Sequence, residues 1–127
     1  MKIPYTYIGL CLFLFLSACT HREVVQLPEK SKTEIAREMI EQGALLIDVR
    51  SPEEFNSGHI EGAVNIPYES VGNRINEITN NHSSEIVLYC GSGRRAGIAQ
   101  ETLENLGYHN IFNAGGYKDL SQSKDPS

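Results

Sequence analysis

The chain of 127 residues has no tryptophan, only three cysteines, and fewer basic than acidic residues. Its formal net charge of −5 at pH 7 argues against nucleic acid as a partner. The cysteines form no Cys-x-x-Cys pair, which excludes a redox couple of that motif. His21, His82 and His109 lack the spacing of metal ligands, so the sequence predicts no metal site. The remaining composition is that of an ordinary globular protein, with enough length for one domain.

An almost wholly apolar segment lies near the N-terminus, from Ile8 to Leu16. Its nine residues are too few to cross a bilayer as a helix, but they suit the core of a signal peptide. The segment Leu16-Ser17-Ala18-Cys19 follows and resembles the lipobox of bacterial lipoproteins. The resemblance implies that residues 1–18 are removed and that Cys19 becomes the lipidated first residue of the mature protein. An uncleaved membrane anchor and a plain secretory signal are the alternatives.

The lipobox resemblance also sets the expected location and organisation. We expect a lipid anchor in the membrane of the bacterial cell envelope, with the protein facing the periplasm. Thr20 stands where an aspartate is linked to inner-membrane retention in such lipoproteins, which favours the outer membrane. Residues 19–32 are then predicted to form the lipidated N-terminus and a polar tether. Residues 33–122 would be the folded domain, and residues 123–127 a C-terminal tail.

The few cysteines become fewer in the mature chain. Cys11 leaves with the signal peptide and Cys19 carries lipid, so Cys90 is the one thiol that remains. No internal disulfide is then possible, although the compartment is oxidising. A lone thiol in that compartment favours a catalytic or carrier sulfur over a structural one.

Helix and strand patterns alternate from Ser31 onward. Apolar runs predict short strands at Ala44 to Val49, Ala63 to Ile66, Ile86 to Tyr89 and Ile111-Phe112. This alternation predicts an α/β fold, with a short, mostly parallel sheet that carries helices on both faces. Ligands of such folds bind beyond the C-terminal ends of the strands.

The helical segments follow apolar stripes. A stripe from Val71 to Ile78 predicts one helix between the second and third strands. The helix after the third strand is predicted to end near Leu106, with Ile98, Leu103 and Leu106 facing inward. The segment Ala114-Gly115-Gly116 is predicted to break the last strand and lead into a final short helix.

Cys90 lies where the third predicted strand gives way to a helix. A thiol at such a turn faces the positive end of a helix and free backbone N–H groups. Two arginines, Arg94 and Arg95, follow within five positions. These features favour thiolate over thiol, so Cys90 is predicted to be a nucleophile at neutral pH. The alternative is a buried structural cysteine, but the adjacent glycines and arginines argue against it.

Four segments in order resemble the rhodanese family, and its small single-domain periplasmic (phage-shock) type in particular. They extend from about Ala44 to Leu120 and consist of Ile47-Asp48-Val49-Arg50 with Glu53-Glu54-Phe55, Gly58-His59-Ile60-Glu61-Gly62-Ala63-Val64-Asn65-Ile66-Pro67, Cys90-Gly91-Ser92-Gly93-Arg94-Arg95-Ala96, and Gly107-Tyr108 with Asn113-Ala114-Gly115-Gly116-Tyr117. The resemblance implies a rhodanese-like domain and a thiosulfate sulfurtransferase.

The implied reaction passes through a persulfide on Cys90. The cysteine would take the outer sulfur of thiosulfate or a similar anion, and cyanide or a thiol would then accept that sulfur. The implied binding loop comprises Gly91, Ser92, Gly93, Arg94, Arg95 and Ala96. Its N–H groups would hold the persulfide, and its arginines would hold the anionic donor. No cofactor is implied, and protein partners stay open.

The role of the individual charged residues stays open in part. Family members differ in whether the donor-binding arginine corresponds to Arg94 or to Arg95, and this chain has both. Asp48 and Arg50 are interpreted as a structural pair at a strand end. Glu54 and His59 are likewise interpreted as structural, with a fold-stabilising hydrogen bond expected for the histidine.

Two other functions compete with the sulfurtransferase hypothesis. A phosphatase or arsenate reductase loop of a related fold would require arginine at position 96, where this chain has alanine. A persulfide carrier or binding module without turnover would need the same cysteine. The number of catalytic cycles per protein molecule distinguishes the two, because an enzyme completes many cycles and a carrier gives a single burst.

Overall fold

The computed structural model describes residues 23–122. The predicted signal peptide, Cys19 and the predicted tail lie outside the described residues. None of the helices between residues 23 and 122 is long and apolar enough to span a membrane. In chain order the elements are α1 (Lys32–Glu41), β1 (Leu45–Asp48), α2 (Pro52–Asn56), β2 (Val64–Asn65), α3 (Val71–Arg74), a 3-10 turn (Ile75–Glu77), β3 (Ile86–Cys90), α4 (Arg94–Asn105), β4 (Ile111–Gly116) and α5 (Tyr117–Ser121).

The four strands form one parallel sheet in the order β2-β1-β3-β4. This confirms the predicted α/β fold. In the centre of the sheet, Leu45 of β1 pairs with Ile86 of β3, and Asp48 pairs with Tyr89. The carboxyl ends of the two central strands therefore lie side by side, which is where a parallel sheet offers a ligand site.

Apolar side chains cover both faces of the sheet. On one face, α3 and α4 pack against alternate strand residues, and the buried cluster includes Ile47, Leu88 and Leu103. On the other face, α1 and α5 pack through Ala36 and Leu120. Successive strand residues point to opposite faces, so both central strands are apolar except at Asp48, the last residue of β1. Two helices begin at complete capping boxes, α1 from Ser31 to Glu34 and α2 from Ser51 to Glu54.

The structure corrects three details of the sequence prediction. The second strand is limited to Val64–Asn65, where it pairs with β1 at the sheet edge. The helix predicted for residues 71–78 is a single α-helical turn followed by a 3-10 turn. The last strand continues to Gly116 instead of breaking at residue 114. It does so through an irregularity in its pairing with β3, and Gly115 takes a φ of 88° there.

The inward face of α4 also differs from the prediction. Leu103 is fully buried, as predicted, but it shares its stripe with Ala96 and Ala99. These positions follow the spacing of three and four residues that one helical face requires. Ile98 falls beside that stripe and Leu106 lies beyond the helix end, so they are 38% and 47% exposed. Apolar character alone did not distinguish them from the core residues.

A buried ion pair fixes the carboxyl end of β1. The guanidinium of Arg50 donates to the Asp48 carboxylate at 2.6 Å, and to the carbonyl oxygen of Gly58 at 2.7 Å. Its Cζ lies 4.4 Å from the ring centroid of Tyr117. Asp48 is 0% and Arg50 5% exposed, so each group needs the other as a partner. The structural interpretation of this pair is confirmed.

Candidate active site

Cys90 is the last residue of β3 and is completely buried. Gly91, Ser92 and Gly93 turn the chain, and α4 begins at Arg94. The backbone N–H of Gly93 donates to the Cys90 Sγ at 2.9 Å. Gly93 reaches this position with a φ of 95°, in the left-handed region that favours glycine. The side chain therefore lies at the bottom of a tight loop, at the carboxyl end of a central strand.

Two effects compete at the sulfur. Burial raises the pKa of the Cys90 thiol, because a thiolate loses hydration away from water. The backbone N–H groups of Ala96, Ser92, Gly93 and Arg95 act in the opposite direction, since they donate to the anion. The donors prevail, and the pKa of the thiol lies below its ordinary value. The loop is thus arranged for a sulfur anion, as the thiolate nucleophile of the sequence analysis requires.

Backbone from the end of β4 supports the loop directly. A Cβ at Gly116 would come within 2.6 Å of the carbonyl oxygen of Gly91. A Cβ at Gly93 would come within 3.2 Å of the Cα of Gly115. Main chain therefore packs against main chain on this side of the site, and a side chain at Gly116 would displace the loop.

Arg95 forms an ion pair with Glu54 of α2. The two guanidinium NH2 groups donate to the two carboxylate oxygens, at 2.6 and 3.0 Å. Glu54 also accepts hydrogen bonds from the backbone N–H and the hydroxyl of Ser51, which caps α2. The guanidinium lies beside the loop, with one nitrogen 3.2 Å from where a Cβ of Gly91 would stand. This pair ties the start of α4 to the β1–α2 turn.

Arg94 has a different environment. Its side chain is exposed, and it forms no hydrogen bond or ion pair with any residue between 23 and 122. Its neighbour in the loop, Ser92, is also exposed. Ala96 is fully buried behind them, and its methyl group leaves no guanidinium at the position that a phosphatase-type loop would require. Of the two arginines, Arg95 has an ionic partner, and Arg94 has none between residues 23 and 122.

His59 makes local contacts within its own turn, away from Cys90 in sequence. His59 contacts the carbonyl oxygen of Phe55 through Nδ1 at 2.9 Å and stacks on the Phe55 ring. The expected fold-stabilising hydrogen bond is therefore confirmed. Within residues 23–122, no cluster of three or more histidine, cysteine, aspartate or glutamate side chains is suited to a metal ion.

Asn113 is a site residue that the sequence analysis did not single out. Its Nδ2 donates to the carbonyl oxygen of Gly93 at 2.9 Å. Its Oδ1 accepts from the backbone N–H of Gly115 at the same distance. The available signal was a polar amide inside an apolar strand, just before the paired glycines.

Replacing Glu54 by glutamine should reduce the loss in the free energy of unfolding that the protein shows when the pH is lowered from 7 to 3. The Arg95 guanidinium lowers the pKa of Glu54 from 4.5 to about 2. Because the carboxyl of the unfolded chain titrates higher, the ion pair stabilises the fold above about pH 4.5 and this contribution is lost toward pH 2. Glu54 is 39% exposed, so solvent screening limits the effect to about 1 kcal/mol. Urea unfolding at pH 7 and pH 3 measures it.

Glu53→Gln is the matched control, since it removes the same charge from the same helix. Glu53 is exposed and makes no ion pair with any described residue. Glutamine at position 54 still suits the capping box, so the helix start is retained. If Glu54→Gln lost as much stability between pH 7 and pH 3 as the unchanged protein, the ion pair would contribute nothing.

Comparison with known proteins identifies the family and supports the fold. The family model for the rhodanese-like domain matches residues 31–123. The chain is 41% identical to the thiosulfate sulfurtransferase PspE of Escherichia coli over 78 residues, which cover 61% of this chain and 75% of that enzyme. It is 40% identical to a putative sulfur carrier protein of Bacillus subtilis over 68 residues, which cover 54% of this chain and 36% of that protein.

A solved structure of similar shape is an Escherichia coli rhodanese with anions. It superposes with a TM-score of 0.60 at 39% identity and covers 63% of this chain and 94% of that one. The chain therefore belongs to the rhodanese-like domain family and is an enzyme of the sulfurtransferase type.

Proposed function

We propose that the protein moves sulfane sulfur from thiosulfate, or a similar anionic donor, to cyanide or a thiol through a persulfide on Cys90. The observation that carries this proposal is that the buried Cys90 sulfur accepts hydrogen bonds from backbone N–H groups of the segment after β3. Such an arrangement stabilises a sulfur anion without a neighbouring general base. The similarity to a named thiosulfate sulfurtransferase supports the choice of donor.

The reaction is a double displacement. The Cys90 thiolate attacks the outer sulfur of thiosulfate, the sulfur–sulfur bond breaks, and sulfite leaves with the bonding electron pair. The enzyme then holds one additional sulfur as a persulfide anion, which the N–H groups of the loop stabilise. A thiophilic acceptor attacks that outer sulfur, and the Cys90 thiolate departs. No net oxidation or reduction of the enzyme occurs over the cycle.

Arg94 and Arg95 would have different roles, one in binding the sulfur donor and the other in holding the loop. Arg95 is already paired with Glu54, so its charge is largely neutralised and it holds the loop. Arg94 is exposed and without a partner among the described residues, so it can meet the sulfonate end of the donor. The donor would then lie at the exposed side of the loop, with its outer sulfur directed at Cys90.

The full-length protein treated with thiosulfate should gain one sulfur atom at Cys90, removable by cyanide. Intact mass spectrometry measures the gain, and Cys90→Ser is the matched control because it replaces only the sulfur. The serine variant should show no added sulfur and no detectable turnover. Persistent turnover without the thiol would exclude Cys90 as the nucleophile.

Counting the thiocyanate formed from thiosulfate and cyanide distinguishes an enzyme from a persulfide carrier. The similarity to a putative sulfur carrier protein makes the carrier the second candidate. Many thiocyanate molecules formed per protein molecule support the enzyme. A single burst of one thiocyanate per protein supports the carrier and overturns the catalytic proposal.

Replacing Arg94 by glutamine should raise the KM for thiosulfate about tenfold, with little change in kcat at saturating donor. The factor follows from a charged hydrogen bond worth about 1.5 kcal/mol or more. Steady-state kinetics of thiocyanate formation measure both constants. Arg74→Gln is the control, because it removes the same charge from an exposed arginine that pairs with Glu77. A greater rise in KM with Arg95→Gln than with Arg94→Gln would transfer the donor-binding role to Arg95.

We also propose that the mature protein is a lipoprotein of the bacterial cell envelope, anchored through Cys19 and facing the periplasm. The support is the lipobox pattern of residues 16–19, which precede the described residues. Cys19→Ser should move the full-length protein from the membrane fraction to the soluble fraction and abolish fatty-acid labelling. Unchanged fractionation and labelling would exclude Cys19 as the lipidated residue.

A further inference from the structure

The side chain of Asn113 connects the active-site loop to the end of β4. It pairs in register with Leu88 of β3, two residues before the reactive cysteine. Both ends of its amide are used, since Nδ2 donates to the Gly93 carbonyl oxygen and Oδ1 accepts from the Gly115 N–H, each at 2.9 Å. Only an amide with this orientation satisfies both partners, because one is an acceptor and the other a donor.

Gly93 is the residue that this amide holds. Its N–H donates to the Cys90 Sγ at 2.9 Å, and its carbonyl oxygen also accepts from the N–H of Gly97 in the first turn of α4. Its φ of 95° is one that a glycine adopts freely and can also leave freely. An external contact is therefore needed to select this conformation, and Asn113 supplies one on the carbonyl side.

We propose that Asn113 is a positioning residue that keeps the N–H of Gly93 directed at the Cys90 sulfur. It is not proposed to bind the sulfur or thiosulfate; it acts through its hydrogen bond to the Gly93 backbone. The inference rests on the proposed function only in that Cys90 is the reacting group. Its chemical consequence is that the sulfur anion, whether thiolate or persulfide, retains one of its hydrogen-bond donors.

Other charged groups around the loop are unchanged by a substitution at Asn113. Arg94 and Arg95 belong to α4, Glu54 belongs to α2 and binds Arg95, and Asp48 of β1 interacts electrostatically with Arg95. A change in the titration of Cys90 on removing a neutral amide therefore reports the loop geometry.

Asn113→Ala should raise the apparent pKa of the Cys90 thiol by about 1, since one hydrogen bond to the anion is weakened. The measurement is the pH dependence of Cys90 alkylation by iodoacetamide in the full chain, followed by mass spectrometry of the Cys90 peptide. Thiosulfate turnover near neutral pH should fall by up to about tenfold, the limit for a shift of this size. A merely structural role would lower the unfolding midpoint without moving the alkylation profile.

Asn110→Ala is the matched control, because Asn110 lies three residues before Asn113, just outside the opposite end of β4. Asn110 precedes β4, and its Nδ2 donates to the carbonyl oxygen of Ser83 at 2.9 Å. Its loss removes an equivalent amide-to-carbonyl hydrogen bond away from Cys90, and it should leave the alkylation profile unchanged. An equal shift in both variants, or no shift in Asn113→Ala, overturns the inference.

Asn113→Asp tests the same point if the alanine variant fails to fold. Aspartate retains the size and the acceptor for the Gly115 N–H, but it cannot donate to Gly93 when ionised. The pKa of the Cys90 thiol should then rise further than with alanine, because a negative charge is added near the sulfur. An unchanged alkylation profile contradicts the inference.

The two proposals can fail separately. If the unchanged protein takes no sulfur from thiosulfate, the proposed function is wrong, and the alkylation profile still tests Asn113. If the unchanged protein is active and Asn113→Ala matches it in profile and turnover, only the inference about Asn113 is wrong.

Discussion

The hydrogen bonds from backbone N–H groups to the Cys90 sulfur are the interaction on which the site depends. A fully buried thiol would otherwise stay protonated, because burial penalises the anion. The donors come from a loop that ends at Gly93 and from the first turn of α4, where N–H groups have no partner within the helix. The main chain therefore supplies the hydrogen bonds that lower the pKa of the Cys90 thiol, and the Arg95 guanidinium interacts electrostatically with the same sulfur.

The surrounding elements hold that loop in place from several directions. Arg95 and Glu54 connect it to α2, and Asn113 connects it to β4. The buried pair of Asp48 and Arg50 fixes the end of the neighbouring strand. These contacts converge on the carboxyl ends of the central strands, so the parallel sheet and its crossover helices explain why residues distant in sequence meet at one site.

Much of the fold, and the place of Cys90 at the end of a central strand, were predictable from local sequence signals. Alternating strand and helix patterns gave the parallel sheet, and a cysteine between an apolar run and a glycine loop indicated the site. The role of each arginine was not predictable, because the partner of Arg95 lies 41 residues away, at Glu54. Ile98 was misplaced because apolar character does not specify which face of a helix is buried. Asn113 was missed because its significance arises only from the tertiary approach of β4 to the loop.

The close approach of Gly115 and Gly116 to the loop limits how this part of the molecule can be altered. Main chain faces main chain there, with Gly93 against the Cα of Gly115 and Gly116 against the carbonyl oxygen of Gly91. Exchanging side chains cannot widen a contact that the main chain forms, and a side chain at Gly116 would displace the loop. On this side, the space around the loop is therefore set by the course of the main chain between Cys90 and α4 and not by side chains.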